Sequence, residues 1–256
     1  MKNVIAIIAA SLSLAALGIA QEHTSGYYTP TICVFKKTLT FKNNVVPVRY
    51  VSLAGTNENE NVKVNEYFST NCLPNNTYLY LFTNNTYKAY VLNASTGWQP
   101  ATPVSTINGS TANAGDLTQT LQVGSAAWIQ LPSAPGVGET NLVITVGQIS
   151  SHTNSTIIAG EPNLIANPNG DSGKNIITHL SGIKAKGDTI LLLPSVNIPN
   201  PSADQIVYNA TKGKWYKITM NGKEVAYDEV ASLTVGIYQG VWYVSKGSSN
   251  LTVDWN

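Results

Sequence analysis

The sequence predicts an all-β chain of two tandem pseudo-repeated units, sandwich- or barrel-like, made of short antiparallel strands. Three observations predict it. Motifs recur in the same order at a long spacing: Leu121-Gln-Val-Gly124 followed by Trp128 returns as Leu233-Thr-Val-Gly236 followed by Trp242. Asn93-Ala-Ser-Thr-Gly-Trp98 returns as Asn209-Ala-Thr-Lys-Gly-Lys-Trp215, and Asn76-Thr-Tyr-Leu-Tyr-Leu-Phe82 matches Asp188-Thr-Ile-Leu-Leu-Leu193. Self-similarity of this kind marks repeated structural units. Short runs of β-branched and aromatic residues are also separated by turn signals at close intervals, as in sandwiches and barrels. Finally, no segment carries a long amphipathic-helix pattern.

The amino terminus stands apart. Lys2, the apolar run Val4–Leu17 and the small residues Gly18-Ile-Ala20 have the layout of a signal peptide over residues 1–20. The apolar run is shorter than the ~20 residues a spanning helix requires, and no later segment is long and apolar enough to span a membrane. The expectation is export, to the periplasm, the cell surface or the medium. A formal net charge of +1 with only 11% charged residues leaves no basic stripe, which excludes nucleic acid as a partner.

Taken in order, the first unit covers residues 21–149 and the second 150–256. Thr31–Phe41 and Val45–Leu53 read as strands, and Pro47, which cannot donate a ladder hydrogen bond, marks an edge or bulge in the second run. Val62–Asn71 fits a short helix or a strand equally well. Tyr78–Phe82, Tyr87–Leu92 and Trp98 follow as a meander, its turns at Asn84-Asn85 and Ser95-Thr-Gly97. Pro100–Asp116 reads as a long polar loop, then Thr118–Val123, Ala127–Leu131 and Asn141–Ile149 as strands. In the second unit Asn163–Pro168 is a β-rich run, Asn169–Gly173 a tight turn and Asn175–Ser181 a short helix. Thr189–Leu193, Gln205–Asn209, Trp215–Met220, Leu233–Val235, Val241–Ser245 and Leu251–Trp255 read as strands. Asn221-Gly222 is the dipeptide of a type I′ hairpin turn.

Cys33 and Cys72 are the chain's 2 cysteines. An even count in an exported chain predicts a Cys33–Cys72 disulfide; a metal pair or a reactive thiol are the alternatives, and no histidine-rich segment flanks either residue.

Ile158-Ala-Gly-Glu-Pro-Asn-Leu-Ile-Ala-Asn-Pro168, Gly187-Asp-Thr-Ile-Leu191, Tyr208–Trp215 and Val235-Gly-Ile-Tyr-Gln-Gly-Val-Trp242 together resemble secreted β-repeat proteins of Verrucomicrobia-related bacteria. The likeness spans nearly all of the second unit and about two thirds of the first, which lacks the second glycine at Gly124-Ser-Ala-Ala-Trp128. It implies fold and an exported location. It carries over no activity and no catalytic residues.

Candidate chemistry is sparse. Gly170-Asp171-Ser172-Gly173 echoes protease loops and is the one place a secreted hydrolase would be centred. A serine nucleophile needs a base and an orienting carboxylate, and an aspartic site needs two carboxylates, neither of which the sequence marks nearby. An Asn-Gly-Asp-Ser-Gly turn accounts for the same residues. The scattered Asp116, Asp171, Asp188, Asp204 and Asp228 lack the spacing of a calcium loop, and neither a metal nor a cofactor is expected. Trp98, Trp128, Trp215 and Trp242 recur at matching points and read as core. Tyr78, Tyr80, Tyr87 and Tyr90 read instead as surface aromatics able to contact a ligand. Asn75, Asn84, Asn93, Asn108, Asn154, Asn209 and Asn250 each begin an Asn-x-Ser/Thr triplet, the acceptor of N-linked glycans.

The resulting expectation is a non-catalytic exported β protein that works by binding an extracellular protein or glycan, or by strand-mediated assembly with itself. The loops Pro100–Asp116 and Pro194–Asp204 are the presented elements, and the terminal strand Leu251–Trp255 is either a donor to another chain or, the favoured reading, completes its own sheet. A carbohydrate-binding module is the main alternative.

Overall fold

The computed structural model describes residues 32–39, 44–48, 50–51, 62–70, 72–101, 106–107, 110–136, 141–149, 154–168, 173–192, 205–221, 224–236 and 239–256. The expected signal peptide, Asn108, Asp171, Ser172 and the loop Pro194–Asp204 lie outside the described residues.

The chain is mostly β, and no sheet among the described residues closes on itself. The first half forms β1 (Ile32–Thr38), β2 (Asn44–Pro47), β3 (Tyr50–Val51), β4 (Val62–Lys63), the single-turn helix α1 (Val64–Tyr67), β5 (Tyr78–Thr83), β6 (Thr86–Asn93), β7 (Gly97–Pro100), β8 (Thr106–Ile107), β9 (Ser110–Ala114), β10 (Thr120–Leu121), β11 (Ala126–Gln130) and β12 (Leu142–Ile149). The second forms β13 (Asn154–Ile157), β14 (Pro162–Ala166), β15 (Lys174–Asn175), the helix α2 (Ile176–His179), β16 (Leu180–Ser181), β17 (Thr189–Leu192), β18 (Gln205–Asn209), β19 (Lys214–Asn221), β20 (Glu224–Val230), β21 (Thr234–Val235), β22 (Gly240–Val244) and β23 (Leu251–Asp254).

Four sheets carry the architecture. Sheet A has the order β1-β12-β3, and sheet B the order β2-β11-β5-β6-β9-β8, with β7 also on β6. Sheet C has the order β13-β23-β16, and sheet D the order β14-β22-β17-β18-β19-β20. Two-stranded ladders, β4 with β10 and β15 with β21, complete them. Among the described strands pairing is antiparallel except between β6 and β9.

Three apolar clusters lie among these sheets. Phe35 and Val143 of sheet A meet Leu79, Leu81, Tyr90, Trp98, Ala127 and Ile129 of sheet B in the first. Ile157, Leu251 and Val253 of sheet C meet Ile165, Ile190, Ile206, Trp215, Val241 and Tyr243 of sheet D in the second. The third joins the halves: Tyr80, Ala89, Ala126 and Trp128 of sheet B against Leu164, Ala166 and Trp242 of sheet D. Successive strand residues point to opposite faces. Ala126 and Trp128 therefore face the other half while Ala127 and Ile129 face their own core, and β11 is buried on both sides. Sheet D does the same along β14 and β22. Phe82 meets the Trp242 ring edge-on, centroids 4.7 Å apart.

Backbone bonds tie the halves at one corner. Ala166 N–H donates to the Gly124 carbonyl at 2.9 Å, and the Ser155 hydroxyl donates to that same carbonyl at 2.8 Å. Gly124 has φ +85°, and a Cβ there would collide with the Ser155 hydroxyl oxygen. Only glycine satisfies both demands. The Trp255 indole N–H in turn donates to Ser155 Oγ at 2.7 Å, anchoring the last turn of chain under β13.

Several expectations are met and several are corrected. Pro47 sits on β2, an edge strand of sheet B, where its missing N–H costs no ladder bond. Trp98, Trp128, Trp215 and Trp242 are all buried. Asn84 and Asn85 adopt φ of 49° and 57°, the paired left-handed residues of a I′ turn closing β5 on β6. Residues 62–71, open to either assignment, hold both a strand end and one helical turn. The segment 100–116 is not all loop: β8 and β9 form within it, because β9 has a free ladder on β6 and buries Ala112. Asn221 pairs with Glu224, so Asn221 belongs to the β19–β20 ladder rather than to the turn, and Gly222 lies outside the described residues.

The Cys33–Cys72 disulfide is not formed, and Cys72 is a free, half-buried thiol. The register explains why. Cys33 stands opposite Gly147 on β12, whereas the Cys72 carbonyl accepts from Leu142 at that strand's other end. At ~3.3 Å per residue the two points lie roughly 16 Å apart, and a disulfide needs Cα atoms within ~7 Å.

Lys37, on β1 opposite Val143, is pulled down to about 8 by burial. The unfolded chain therefore binds the extra proton between about pH 8 and the ordinary lysine value, and stability rises with pH across that window. Lys37→Met should flatten this rise, with the gap between variant and wild type greatest at pH 7 and shrinking by pH 10. Urea melts at several pH values measure it.

Candidate binding face

The face of sheet D that carries Leu164 and Trp242 does not end where the first half stops covering it. One row of side chains crosses the sheet: Trp242 pairs with Leu191, Leu191 with Gln205, Gln205 with Ile218, and Ile218 with Tyr227. The next row runs Thr189, Val207, Tyr216, Glu229. At one end Trp242 is 8% exposed, and at the other Tyr227 is 64% and Val225 43% exposed. The hairpin of β19 and β20 thus carries its outward apolar residues past the cover.

A groove of about 520 Å³ opens on this stretch. Its floor is Val207, Tyr216, Ile218 and Tyr227, and its end wall holds Lys186, Lys212, Asn209 and Thr211. Turn geometry sets that wall. Asn209 Oδ1 accepts from the Lys212 N–H at 3.1 Å, which brings the Lys212 ammonium to 5.3 Å from the Tyr216 ring centroid. This is a cation–π distance. Glu229, beside Tyr216, is neutralised by Lys214 at 2.8 Å and holds that lysine above its ordinary value. Among the described residues no Asp or Glu lines the groove itself.

Beneath the wall lies a buried carboxylate. Asp188, fully buried, accepts from the Tyr243 hydroxyl at 2.9 Å, the Lys246 N–H at 2.7 Å and the Ala185 N–H at 2.9 Å. It fixes the turn bearing Lys186 to the segment bearing Lys246. Burial, and then the Asp188 charge, push the Tyr243 phenol well above its usual range, so it stays a donor.

The four tyrosines expected at the surface are placed differently. Tyr80 and Tyr90 are fully buried, and Tyr78 and Tyr87 are half-buried against the cluster between the halves. Tyr78 and Tyr80 stack with centroids 6.0 Å apart, and burial pushes Tyr87 up to about 12. Tyr90 points to the other face, where its hydroxyl donates to the Asp116 carbonyl at 2.9 Å. Tyr80 and Tyr90 are buried because β5 and β6 pack against an apolar cluster on each face. Tyr227, exposed, and Tyr216, half-buried, line the groove instead, and the signal for them was in the sequence. In Lys214-Trp-Tyr-Lys-Ile-Thr-Met220, Tyr216, Ile218 and Met220 alternate against Trp215.

Asn75, Asn84, Asn93, Asn154, Asn209 and Asn250 are all exposed. Oδ1 of Asn75, Asn93, Asn209 and Asn250 accepts a backbone N–H, from Ala94, Ser95, Lys212 and Ala159 respectively. Among the described residues no group of three His, Cys, Asp or Glu comes together, and no helix is long and apolar enough to cross a membrane.

No known protein family matches this chain, and neither a curated protein nor a solved structure matches it.

Proposed function

We propose that this is an exported, non-catalytic β protein that acts at or outside the cell surface by binding through the open part of sheet D. The observation that carries the reading is the exposure of Tyr227 and Val225 on a face that is buried four strands away, at Trp242 on β22. Contiguous exposed apolar surface on a stable sheet marks an interaction site. Export rests on the layout of residues 1–20 and on the sparse charge of the chain.

We also infer that the scaffold is one module duplicated in tandem. Several pairings support it. Trp98 stands opposite Leu92 as Trp215 does opposite Tyr208, and Trp128 opposite Tyr80 as Trp242 does opposite Leu191. Asn44 lies opposite Ile129 as Asn163 lies opposite Tyr243, and both asparagines are buried. Asn76 at φ 63° precedes Thr77 as Gly187 at φ 87° precedes Asp188.

A second reading, assembly by strand addition, rests on β20, the last strand of sheet D, whose outer ladder no described strand covers. The terminal strand is not its donor, because β23 is the middle strand of sheet C.

The test compares wild type with the Tyr216→Ala/Tyr227→Ala double variant on a glycan array and by native mass spectrometry over a range of concentrations. Retention on the array, or concentration-dependent assembly, that the variant loses at unchanged melting temperature is expected. A wild type that is neither retained nor assembles, or a variant that behaves like it, contradicts the reading.

A further inference from the structure

We infer that the groove on sheet D takes an acidic polysaccharide, one whose sugar rings carry a carboxylate or a sulfate, and this rests on the binding reading above. Three features of the groove select that chemistry. Its floor offers two phenol rings, Tyr216 and Tyr227, with Val207 and Ile218 between the strands. Flat aromatic faces on a pleated sheet suit the C–H faces of pyranose rings. Its end wall offers neutral hydrogen-bonding groups. Thr211 supplies a hydroxyl, and Asn209, whose Oδ1 is occupied by the Lys212 N–H, presents an amide that can donate to ring hydroxyls.

The third feature is charge. Lys186 and Lys212 both line the groove at the same end. Glu229, which stands opposite Tyr216, is already matched by Lys214. The groove is therefore positive at one end and aromatic along its length. A neutral glycan forms no ion pair with Lys186 or Lys212, whereas an anionic ring seated on the floor beside Tyr216 brings its charge to them. Phosphate-bearing lipid is disfavoured by shape, because the site is an open trough on a sheet with no deep apolar slot for acyl chains.

The probes are size-defined polygalacturonate, dextran sulfate and neutral xylan, titrated into the full exported chain by calorimetry. The protein is made in a host without N-linked glycosylation, so that Asn209 stays unmodified. Binding to polygalacturonate or dextran sulfate, about tenfold weaker in Lys186→Ala/Lys212→Ala and weakened by salt, is expected. Lys36→Ala, on the distant β1, should leave it unchanged. The polygalacturonate and dextran sulfate arms separate carboxylate from sulfate. Xylan bound as tightly as the acidic probes would overturn the acidic class while leaving the binding reading intact. Failure of all three probes would overturn the acidic class, while the binding reading falls only if the wild type is also neither retained on the glycan array nor assembles. Equal loss in the Lys36 variant would show charge attraction without a site, and would also overturn the acidic class.

Discussion

Asp188→Ala is expected to destabilise the chain by about 3–5 kcal/mol, the largest loss from any single polar side chain. The carboxylate is fully buried and satisfies three donors at once: the Tyr243 hydroxyl and the N–H groups of Ala185 and Lys246. Removing it leaves all three buried or half-buried donors without an acceptor, each at a cost of about 1 kcal/mol or more. Tyr243→Phe removes one of these bonds and keeps the carboxylate, so its cost should be only about 1–2 kcal/mol. Urea denaturation of both variants decides the order. A Tyr243→Phe cost equal to that of Asp188→Ala would mean that the carboxylate is not the organising group. Asp188→Ala should also weaken any ligand held by Lys186, because the turn carrying that lysine would lose its anchor.

Trp242→Ala is expected to cost about 3–5 kcal/mol and to uncouple the two halves. Trp242 faces away from the second-half core and meets Phe82 and Tyr87 of the first half edge-on, at centroid distances of 4.7 and 6.2 Å. Its loss opens a cavity between sheets B and D, while the hydrogen bonds at Gly124 and Ser155 remain. Scanning calorimetry should therefore show one unfolding transition become two. Trp215→Ala offers the contrast, since Trp215 packs on Tyr208 and Tyr243 within the second half and leaves the seam intact. A single unchanged transition in Trp242→Ala would show that the indole does not couple the halves.

Much of the strand pattern was readable from residue type, because β-branched and aromatic runs between Asn- and Gly-rich turns leave few alternatives. The contact between the halves was harder to see, although a mark of it was present. Ala126-Ala-Trp-Ile129, Leu164-Ile-Ala166 and Val241-Trp-Tyr243 are apolar at every position, the pattern of strands buried on both faces. Reading them as strands with a single buried face put Tyr80 at the surface, when its face is the one that meets the other half. The disulfide failed for a different reason. Counting cysteines says nothing about register, and it is register along β12 that separates Cys33 from Cys72. The groove escaped notice because it depends on where the first half's cover ends. That is a property of how the halves meet, which no local run of residues records.

Hydroxyl-radical footprinting of the intact chain reads the exposure of each outer-face side chain of sheet D directly. Rapid modification of Tyr227, with Trp242, Trp128 and Phe82 protected, is the result this arrangement of halves predicts. Modification of Trp242 and Phe82 at the rate of Tyr227 would contradict it, since the face would then be open along its whole width and the groove would have no boundary.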